Sequence, residues 1–199
     1  MDLTVVVLTQ NESSHLPDLF KSLVEGVSVL VVDSMSTDQT VDIARKNGAQ
    51  VIESAQWPGF GPQRNLALQQ VQTQWVLFLD ADERIQPQGW QEIRSAIDAG
   101  ASAVYSFPRL TNFAGSWIKH CGWHPDRVVR LFKVGEARYS DDLVHERVVP
   151  HAGVKGVALQ TPLLHFSYPD PVHYWKKMQT YSMAWADQQW AAGVRTSLT

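Results

Sequence analysis

Short apolar runs alternate with helical patterns over the first hundred residues. Buried strands are predicted at residues 3–8, 27–32, 51–52, 76–79 and 103–107. Between these runs apolar residues recur at three- and four-residue steps, as at Leu16, Leu19 and Leu23, which is typical of a helix with one buried face. Strands that alternate with helices predict an α/β fold: a Rossmann-like, mostly parallel sheet flanked by helices.

The second half of the chain is less regular. Proline, glycine and aromatic residues crowd residues 108–125, which predicts a long loop. Short strands are expected at residues 128–133, 144–149 and 159–166, followed by a helix from about 171 to 192. Tyr174, Met178, Tyr181 and Trp185 form a stripe on that helix, which favours packing on the sheet over membrane binding. We predict one domain of residues 1–199, with a regular half at 1–108 and a smaller mixed half at 109–199.

Composition excludes some classes of function without naming one. The 199 residues are 44% hydrophobic and 19% charged, as in an ordinary soluble domain. The net charge of −3 has no basic excess, so nucleic acid is not an expected partner. The chain begins directly with a strand-like run instead of a signal peptide, and no apolar run reaches membrane-spanning length. A cytoplasmic protein is therefore expected.

An acidic pair follows the apolar run at residues 76–79. Asp80 and Asp82 come where the carboxyl end of a parallel strand should open onto a ligand crevice. Side chains two apart on an extended segment point the same way, so these two carboxylates can converge. Their hard oxygens suit Mg²⁺ or Mn²⁺ bound together with substrate phosphates. The alternative is a turn in which both residues only cap the next segment.

Polar residues also follow the first two predicted strands. Thr9, Asn11 and Glu12 follow the first, and Asp33 and Ser34 follow the second. Such an edge offers hydrogen-bond acceptors for a nucleobase and ribose. Because the chain has neither a glycine-rich dinucleotide fingerprint nor a P-loop, a nucleotide would be held by side chains and metal. Helix capping alone is the competing explanation for the residues after the second strand.

Four N-terminal segments together resemble glycosyltransferase family 2, which has the GT-A fold. They are VVVLTQNE at 5–12, VVDSMSTD at 31–38, QRN at 63–65 and LFLDADE at 77–83. The downstream segments RLF at 130–132, VHE at 144–146 and LH at 164–165 are similar to one branch, the bacterial lipopolysaccharide core β-1,4-glucosyltransferases. The resemblance covers nearly the whole chain, with the nucleotide sugar in the half at 1–108 and the acceptor in the half at 109–199.

The resemblance implies an inverting transfer of a hexose, with glucose expected, from a UDP-sugar, assisted by Mn²⁺ or Mg²⁺. It implies that Asp33 meets the uracil, that Thr9 and Glu12 line the nucleoside pocket, and that Arg64 approaches the base or phosphates. Asn11, Ser34 and Asp80 complete the expected donor site. The metal is expected on Asp82 with help from Asp80.

Four further assignments keep an alternative. Glu146 is expected to be the general base because it lies in a polar pair with His145, the competing candidate. His165 is a candidate third metal ligand or else a hydrogen-bonded core residue. Arg130 and Arg127 are expected to meet acceptor phosphates, although Arg130 could instead be an ion-pair partner on the sheet. Trp123 is a candidate acceptor contact or a packing anchor of its loop.

The expected acceptor is a glycan or glycolipid such as the lipopolysaccharide inner core. The expected place is the cytoplasm, including the cytoplasmic face of the inner membrane, with at most peripheral membrane contact. The alternatives are a family 2 transferase with another acceptor (polyprenyl phosphate, protein or capsular glycan), an aspartate-nucleophile phosphatase, and a noncatalytic sugar-nucleotide-binding module.

Overall fold

The computed structural model describes residues 1–142 and 146–195 of the chain. Its first half contains β1 (Leu3–Thr9), α1 (Leu16–Ser22), β2 (Ser28–Asp33), α2 (Thr40–Lys46), β3 (Gln50–Glu53), α3 (Phe60–Leu68), β4 (Trp75–Asp80), β5 (Glu83–Arg84) and α4 (Pro87–Ala99). These elements follow the predicted alternation, and β5 is an addition that the sequence pattern did not indicate.

The second half is mostly strand. It contains β6 (Ala103–Phe113), β7 (Ser116–Ile118), β8 (Asp126–Lys133), β9 (Ala137–Tyr139), β10 (Val148–Pro150), β11 (Lys155–Ala158), β12 (Leu163–Tyr168) and α5 (Pro171–Ala191). The prediction of one long loop at 108–125 is wrong for its first part, because β6 continues to Phe113 and pairs with β7. Of the predicted strand at 144–149, residues 148 and 149 belong to β10 and residues 146 and 147 lie before it. Residues 144 and 145 lie outside the described residues.

One mixed sheet carries the fold. Its order is β3-β2-β1-β4-β8-β6-β12-β5, with β7 and β11 also paired to β6, while β9 and β10 pair separately. The first four strands are parallel, and β8 runs antiparallel to β4 and β6. The predicted α/β fold, a mixed sheet with flanking helices, is confirmed. The division at residue 108 falls inside β6, so the two halves share a strand.

Both faces of the central strands are buried. Val5 and Val7 of β1 lie in one apolar cluster with the side chains of α1 and α4, whereas Val6 lies in a second cluster on the opposite face with Ala67 of α3. In β4 the same alternation places Leu77 and Leu79 apart from Phe78. Such two-sided burial explains why these strands are apolar at every position.

The C-terminal helix is an exception to the predicted core. None of the described residues of α5 is buried, and Tyr181 and Trp185 are 40% and 51% exposed. The predicted packing of the stripe on the sheet holds for Tyr174, whose ring lies 5.5 Å from that of Phe113 in β6 and 5.0 Å from that of Tyr168 in β12, and is wrong for Tyr181 and Trp185. Helix α5 follows β12, beyond which only the two-residue β5 extends the sheet, so little sheet surface is left to cover. Across residues 1–142 and 146–195, no helix combines the length and apolarity needed to cross a membrane.

Candidate active site

The polar ends of β1, β2 and β4 meet at one edge of the sheet. Thr9 lies opposite Asp33 in the β1–β2 register, and Leu8 lies opposite Asp80 in the β1–β4 register. Because the strands are parallel, their carboxyl ends finish side by side. The predicted grouping of these three strand ends is confirmed.

Asp33 is fully buried and saturated by the chain itself. Its Oδ1 accepts hydrogen bonds from Thr9 Oγ1 at 2.8 Å and Ser36 Oγ at 2.6 Å, and its Oδ2 accepts from the Ser36 amide at 2.8 Å. These bonds tie the end of β1 to the loop after β2. In this arrangement Asp33 organises the loop after β2, and its contact with a uracil, which the resemblance implies, stays a prediction.

The loop after β1 is fastened to the loop after β2 by a second set of bonds. The Asn11 amide donates to Ser36 Oγ at 2.7 Å, and Asn11 Oδ1 accepts from the Thr37 amide at 2.8 Å. The Glu12 amide donates to Thr40 Oγ1 at 2.7 Å. Ser34 Oγ is buried here without a hydrogen-bond partner among the described residues.

Asp80 ends β4 between two guanidinium groups. Arg64 Nη2 donates to its Oδ1 at 2.7 Å, and Arg130 Nη2 donates to its Oδ2. Burial alone would raise the pKa of Asp80, but Arg130 and Arg64 hold it well below its ordinary value. The carboxylate therefore stays charged, and its two oxygens are already engaged.

Arg130 lies beside Asp80, at the end of β4. It is 5% exposed, and its Nη2 also donates at 2.8 Å to Glu83 Oε1, a carboxylate that is itself fully buried. Glu83 Oε2 in turn accepts from the Asp80 amide at 3.0 Å. The structure contains Arg130 as an ion-pair partner, the alternative role, and its expected contact with acceptor phosphates stays a prediction. Glu83 is a site residue that the sequence analysis missed.

Asp82 lies in the turn between β4 and β5, close to His165 of β12. His165 Nε2 lies 3.3 Å from Asp82 Oδ2, and the Phe166 amide donates to the Asp82 carbonyl at 2.8 Å. Burial raises the pKa of Asp82, but the hydrogen bond and charge of His165 outweigh it, so the pKa lies below its ordinary value. Thr111 Oγ1 lies 3.4 Å from His165 Nδ1. Asp82 and His165, two of the three predicted metal ligands, thus lie together. The third, Asp80, instead pairs with Arg64 and Arg130.

Glu146 lies beside the same charged group from the other half of the chain. Arg64 Nη1 donates to Glu146 Oε1, so one arginine holds both Glu146 and Asp80. Asn65, next to Arg64 in α3, fixes α3 to β9. Its side-chain amide exchanges hydrogen bonds of 3.0 and 2.9 Å with the backbone of Tyr139. His145, the competing base, lies outside the described residues.

Helix α5 brings two further side chains to this edge that the sequence analysis missed. Lys177 Nζ donates to Ser167 Oγ of β12 at 2.9 Å. Burial raises the pKa of Tyr181, and the charges of Asp80, Glu146 and Asp82 raise it further. Burial and then the charge of Asp82 raise the pKa of Glu12 to about 7, while Lys177 acts in the opposite direction.

The predicted acceptor residues outside this group are less enclosed. Trp123 is half-buried, with its ring 6.2, 5.7 and 6.0 Å from the rings of Phe113, Tyr168 and Tyr174. This favours the packing-anchor alternative for Trp123. Arg127 is exposed, and its Nη1 donates to the Leu159 carbonyl at 2.9 Å.

Two comparisons with solved structures agree with this architecture. The chain superposes on residues 1–349 of S. aureus TarS in complex with UDP with a TM-score of 0.62 and 17% identity, over 92% of this chain and 65% of that chain. With the UDP-GlcNAc complex the TM-score is 0.60 at 18% identity, over 83% of this chain and 58% of that chain. At such identity the likeness shows the GT-A fold alone.

Sequence comparison then identifies the family. The chain is 28% identical to the lipopolysaccharide core biosynthesis glycosyltransferase LpsC of Rhizobium meliloti, over 98% of this chain and 74% of LpsC. It is 38% identical to the uncharacterized glycosyltransferase RP128 of Rickettsia prowazekii over 46% of this chain and 31% of that protein. Residues 4–160 match the sequence model of glycosyl transferase family 2, so the chain belongs to that family.

Proposed function

We propose that this chain is a metal-dependent, inverting hexosyltransferase that moves glucose from UDP-glucose to a glycan of the lipopolysaccharide inner core. The observation that carries the proposal is the pairing of Asp82 with His165, 3.3 Å apart, at the sheet edge where β1, β2 and β4 end. Membership of family 2 supports the reaction class. The similarity to LpsC, whose name refers to lipopolysaccharide core biosynthesis, supports the acceptor.

The donor nucleoside is assigned to the loops after β1 and β2. Thr9 and Asp33 hold the two loops together, while Asn11, Glu12 and Ser34 border the space beside them. The unpartnered Ser34 hydroxyl gives this pocket a free hydrogen-bonding group. Buried polar groups of this kind discriminate strongly between ligands, because the wrong ligand leaves them unpaired.

Asp82 and His165 would hold Mn²⁺ or Mg²⁺, with Asp80 adjoining them. A carboxylate oxygen and an imidazole nitrogen are ligands that suit Mn²⁺, and carboxylate oxygens also suit Mg²⁺. When bound, the ion supplies positive charge to the leaving diphosphate. Asp80 keeps its negative charge through Arg64 and Arg130, and thereby anchors those two cations at the same edge.

Glu146 is assigned as the base that activates the acceptor. In one in-line displacement, the acceptor oxygen forms a bond to the anomeric carbon while the bond from that carbon to the β-phosphate oxygen breaks. The electron pair leaves with the diphosphate, and the acceptor proton passes to the Glu146 carboxylate. Arg64 Nη1 donates to Glu146 Oε1 and thereby positions the carboxylate. His145 is the second choice.

Acceptor recognition is assigned to the side of the site that holds Arg127 and Trp123. We expect the enzyme to act in the cytoplasm, at the cytoplasmic face of the inner membrane, with at most peripheral membrane contact. A polyprenyl phosphate, a protein or a capsular glycan is the alternative acceptor. An aspartate-nucleophile phosphatase would need a free nucleophile at Asp80, and both oxygens of Asp80 accept from arginines.

The direct test is release of UDP from UDP-glucose in the presence of Mn²⁺ or Mg²⁺, with and without a lipopolysaccharide core acceptor. Hydrolysis of a generic phosphate ester is measured in parallel. Metal-dependent UDP release that the acceptor stimulates supports the transferase. Ester hydrolysis without UDP release would favour the phosphatase, and UDP-glucose binding with no turnover on any acceptor would favour a binding module.

A further inference from the structure

Lys177 makes two contacts with β12, the strand that carries His165. Its Nζ donates to Ser167 Oγ at 2.9 Å and lies 5.3 Å from the centre of the Tyr168 ring. Ser167 is 3% exposed and lies two residues beyond His165 on the same strand. The ammonium group is therefore positioned by a buried hydroxyl and an aromatic face, next to the proposed metal ligands.

The positive charge of Lys177 is not neutralised by a close ion pair. Among residues 1–142 and 146–195, no carboxylate oxygen lies within 4.0 Å of its Nζ. An ammonium has three N–H donors, and the Ser167 hydroxyl accepts only one of them.

The neighbouring lysine provides a contrast within the same helix. Lys176 points away from the sheet and is exposed, whereas Lys177 is half-buried. Helix α5 buries no residue of its own, so packing of a core does not explain why Lys177 is turned inward. A cation with unused donors on Ser167, two residues along β12 from His165, fits an anionic ligand at that place.

We infer that Lys177 binds the diphosphate of the sugar nucleotide. The inference rests on the proposed function and extends it to a residue of α5. The two remaining N–H groups donate to diphosphate oxygens, and in the transfer they stabilise the charge that arrives on the β-phosphate when its bond to the anomeric carbon breaks. Helix α5 thereby becomes part of the donor site although it contributes nothing to the core.

The test compares binding of UDP and of uridine, which lacks the diphosphate, by calorimetry and ligand-detected NMR. Lys177→Ala should weaken UDP binding about tenfold or more, both with Mn²⁺ and with EDTA, since a charge-assisted hydrogen bond is lost. Uridine binding should stay unchanged. Lys177→Met, which keeps the apolar stem against Tyr168, should behave in the same way, and Lys177→Arg should recover much of the affinity. Lys176→Ala is the matched control and should bind UDP as the wild type does.

Three other outcomes would contradict the inference, and one of them would also contradict the proposed function. If Lys177→Ala and Lys177→Met both bind UDP with wild-type affinity, Lys177 does not contact the diphosphate, while the proposed function stands. If UDP and uridine weaken equally, Lys177 only supports the local structure, and the inference is again wrong. If the wild type itself binds no UDP in the presence of Mn²⁺ or Mg²⁺, the proposed function fails together with the inference.

Discussion

Arg64 and Glu146 lie 82 positions apart in the chain, and Arg64 Nη1 donates to Glu146 Oε1. Through its Nη2 the same guanidinium donates to Asp80 Oδ1 at 2.7 Å. The proposed base is thereby joined, through one arginine, to the strand end that carries the acidic pair. Arg64 is 4% exposed, whereas the side chains of Glu146 and Asp80 are 16% and 32% exposed, so the arginine itself is the part of the group that is shielded from water.

Replacing Arg64 with alanine should destabilise the fold strongly. The variant leaves Asp80 and Glu146 in a largely buried place without one of their cations, and breaking a buried pair typically costs about 3–5 kcal/mol. The free energy of unfolding in urea at pH 7 measures the effect. Arg45→Ala, which breaks the exposed pair with Glu53, should cost only about 0–1 kcal/mol. Equal losses in the two variants would contradict this view of Arg64.

Asp82→Asn should remove metal-dependent UDP binding while the fold stays intact. The asparagine can still meet His165 but no longer offers a charged oxygen to a divalent ion. Calorimetric titration of UDP with and without Mn²⁺ measures the difference. Asp18→Asn, a change at an exposed helix position, serves as the control. A variant in which Mn²⁺ still enhances UDP binding as in the wild type would refute the metal assignment.

Glu146→Gln should slow turnover and spare donor binding. Loss of a positioned base typically lowers the rate by roughly 10²–10⁴-fold, whereas the carboxylate is not needed to hold the UDP-sugar. Turnover at saturating donor and UDP-sugar affinity are measured on the same preparation, with Glu53→Gln as the exposed control. A wild-type rate would direct attention to His145. Loss of donor affinity would instead assign Glu146 to the donor site.

Stability should depend on pH through Glu12. Its folded-state pKa is about 7 against an ordinary value of 4.5, because burial and then the charge of Asp82 disfavour the carboxylate. The folded state therefore binds more protons than the unfolded state between these values, and stability falls as the pH rises through that window. Glu12→Gln should remove the fall, which makes the variant more stable than the wild type at pH 8 and similar at pH 4.

Thermal unfolding in EDTA from pH 4 to 8 measures the Glu12 effect. Glu92→Gln is the control, because the pKa of Glu92 is shifted in the opposite direction to that of Glu12. Burial raises the pKa of Glu92, but hydrogen bonds from Thr161 and Gln160 outweigh it and lower the pKa, so Glu92 stabilises the fold above its ordinary pKa. Its replacement should lower stability at neutral pH. Parallel curves for the wild type and Glu12→Gln would show that Glu12 is not perturbed.

Gly61→Ala should disturb the junction between α3 and the segment after β9. A Cβ at residue 61 would collide with the Ser140 carbonyl oxygen, which is backbone and cannot rotate away. Overpacking of this kind typically costs about 1–3 kcal/mol, and here it should also reduce turnover by displacing the neighbouring Glu146. Gly156→Ala, where a Cβ meets nothing within 4 Å, is the control for unfolding and activity. An unchanged midpoint in Gly61→Ala would show that this close approach is absent in solution.

The sequence predicted the first half well because its signals are local. Apolar runs buried on both faces specify β1, β2 and β4, and a parallel arrangement then forces Thr9, Asp33 and Asp80 to one edge. Residue types also brought Asp82 and His165 together as candidate ligands, and their metal role stays a prediction. Their meeting required only that β12 join the same sheet, which it does through β6.

The remaining site residues depend on contacts between distant segments. Arg130 was assigned to the acceptor, because nothing in its strand pattern indicates that Asp80 and Glu83 lie 50 and 47 positions away as partners. Glu83 and Lys177 carry no local signal that separates them from ordinary surface charges. Helix α5 was misjudged for a related reason: an aromatic stripe predicts a buried face only where enough sheet remains to be covered.

The long strand β6 determines how parts of this enzyme can be exchanged with relatives. It runs from Ala103 to Phe113 and pairs with β8 on one side and with β12 on the other. A chimera joined at residue 108 would therefore splice two sequences in the middle of a hydrogen-bonded ladder. A junction before Ala103 keeps β6, β8 and β12 from one parent, and with them Arg130 and His165. Asp80 and Asp82 would then come from the other parent, so the proposed acceptor half can be transplanted only together with Arg130 and His165, which the proposed donor site also uses.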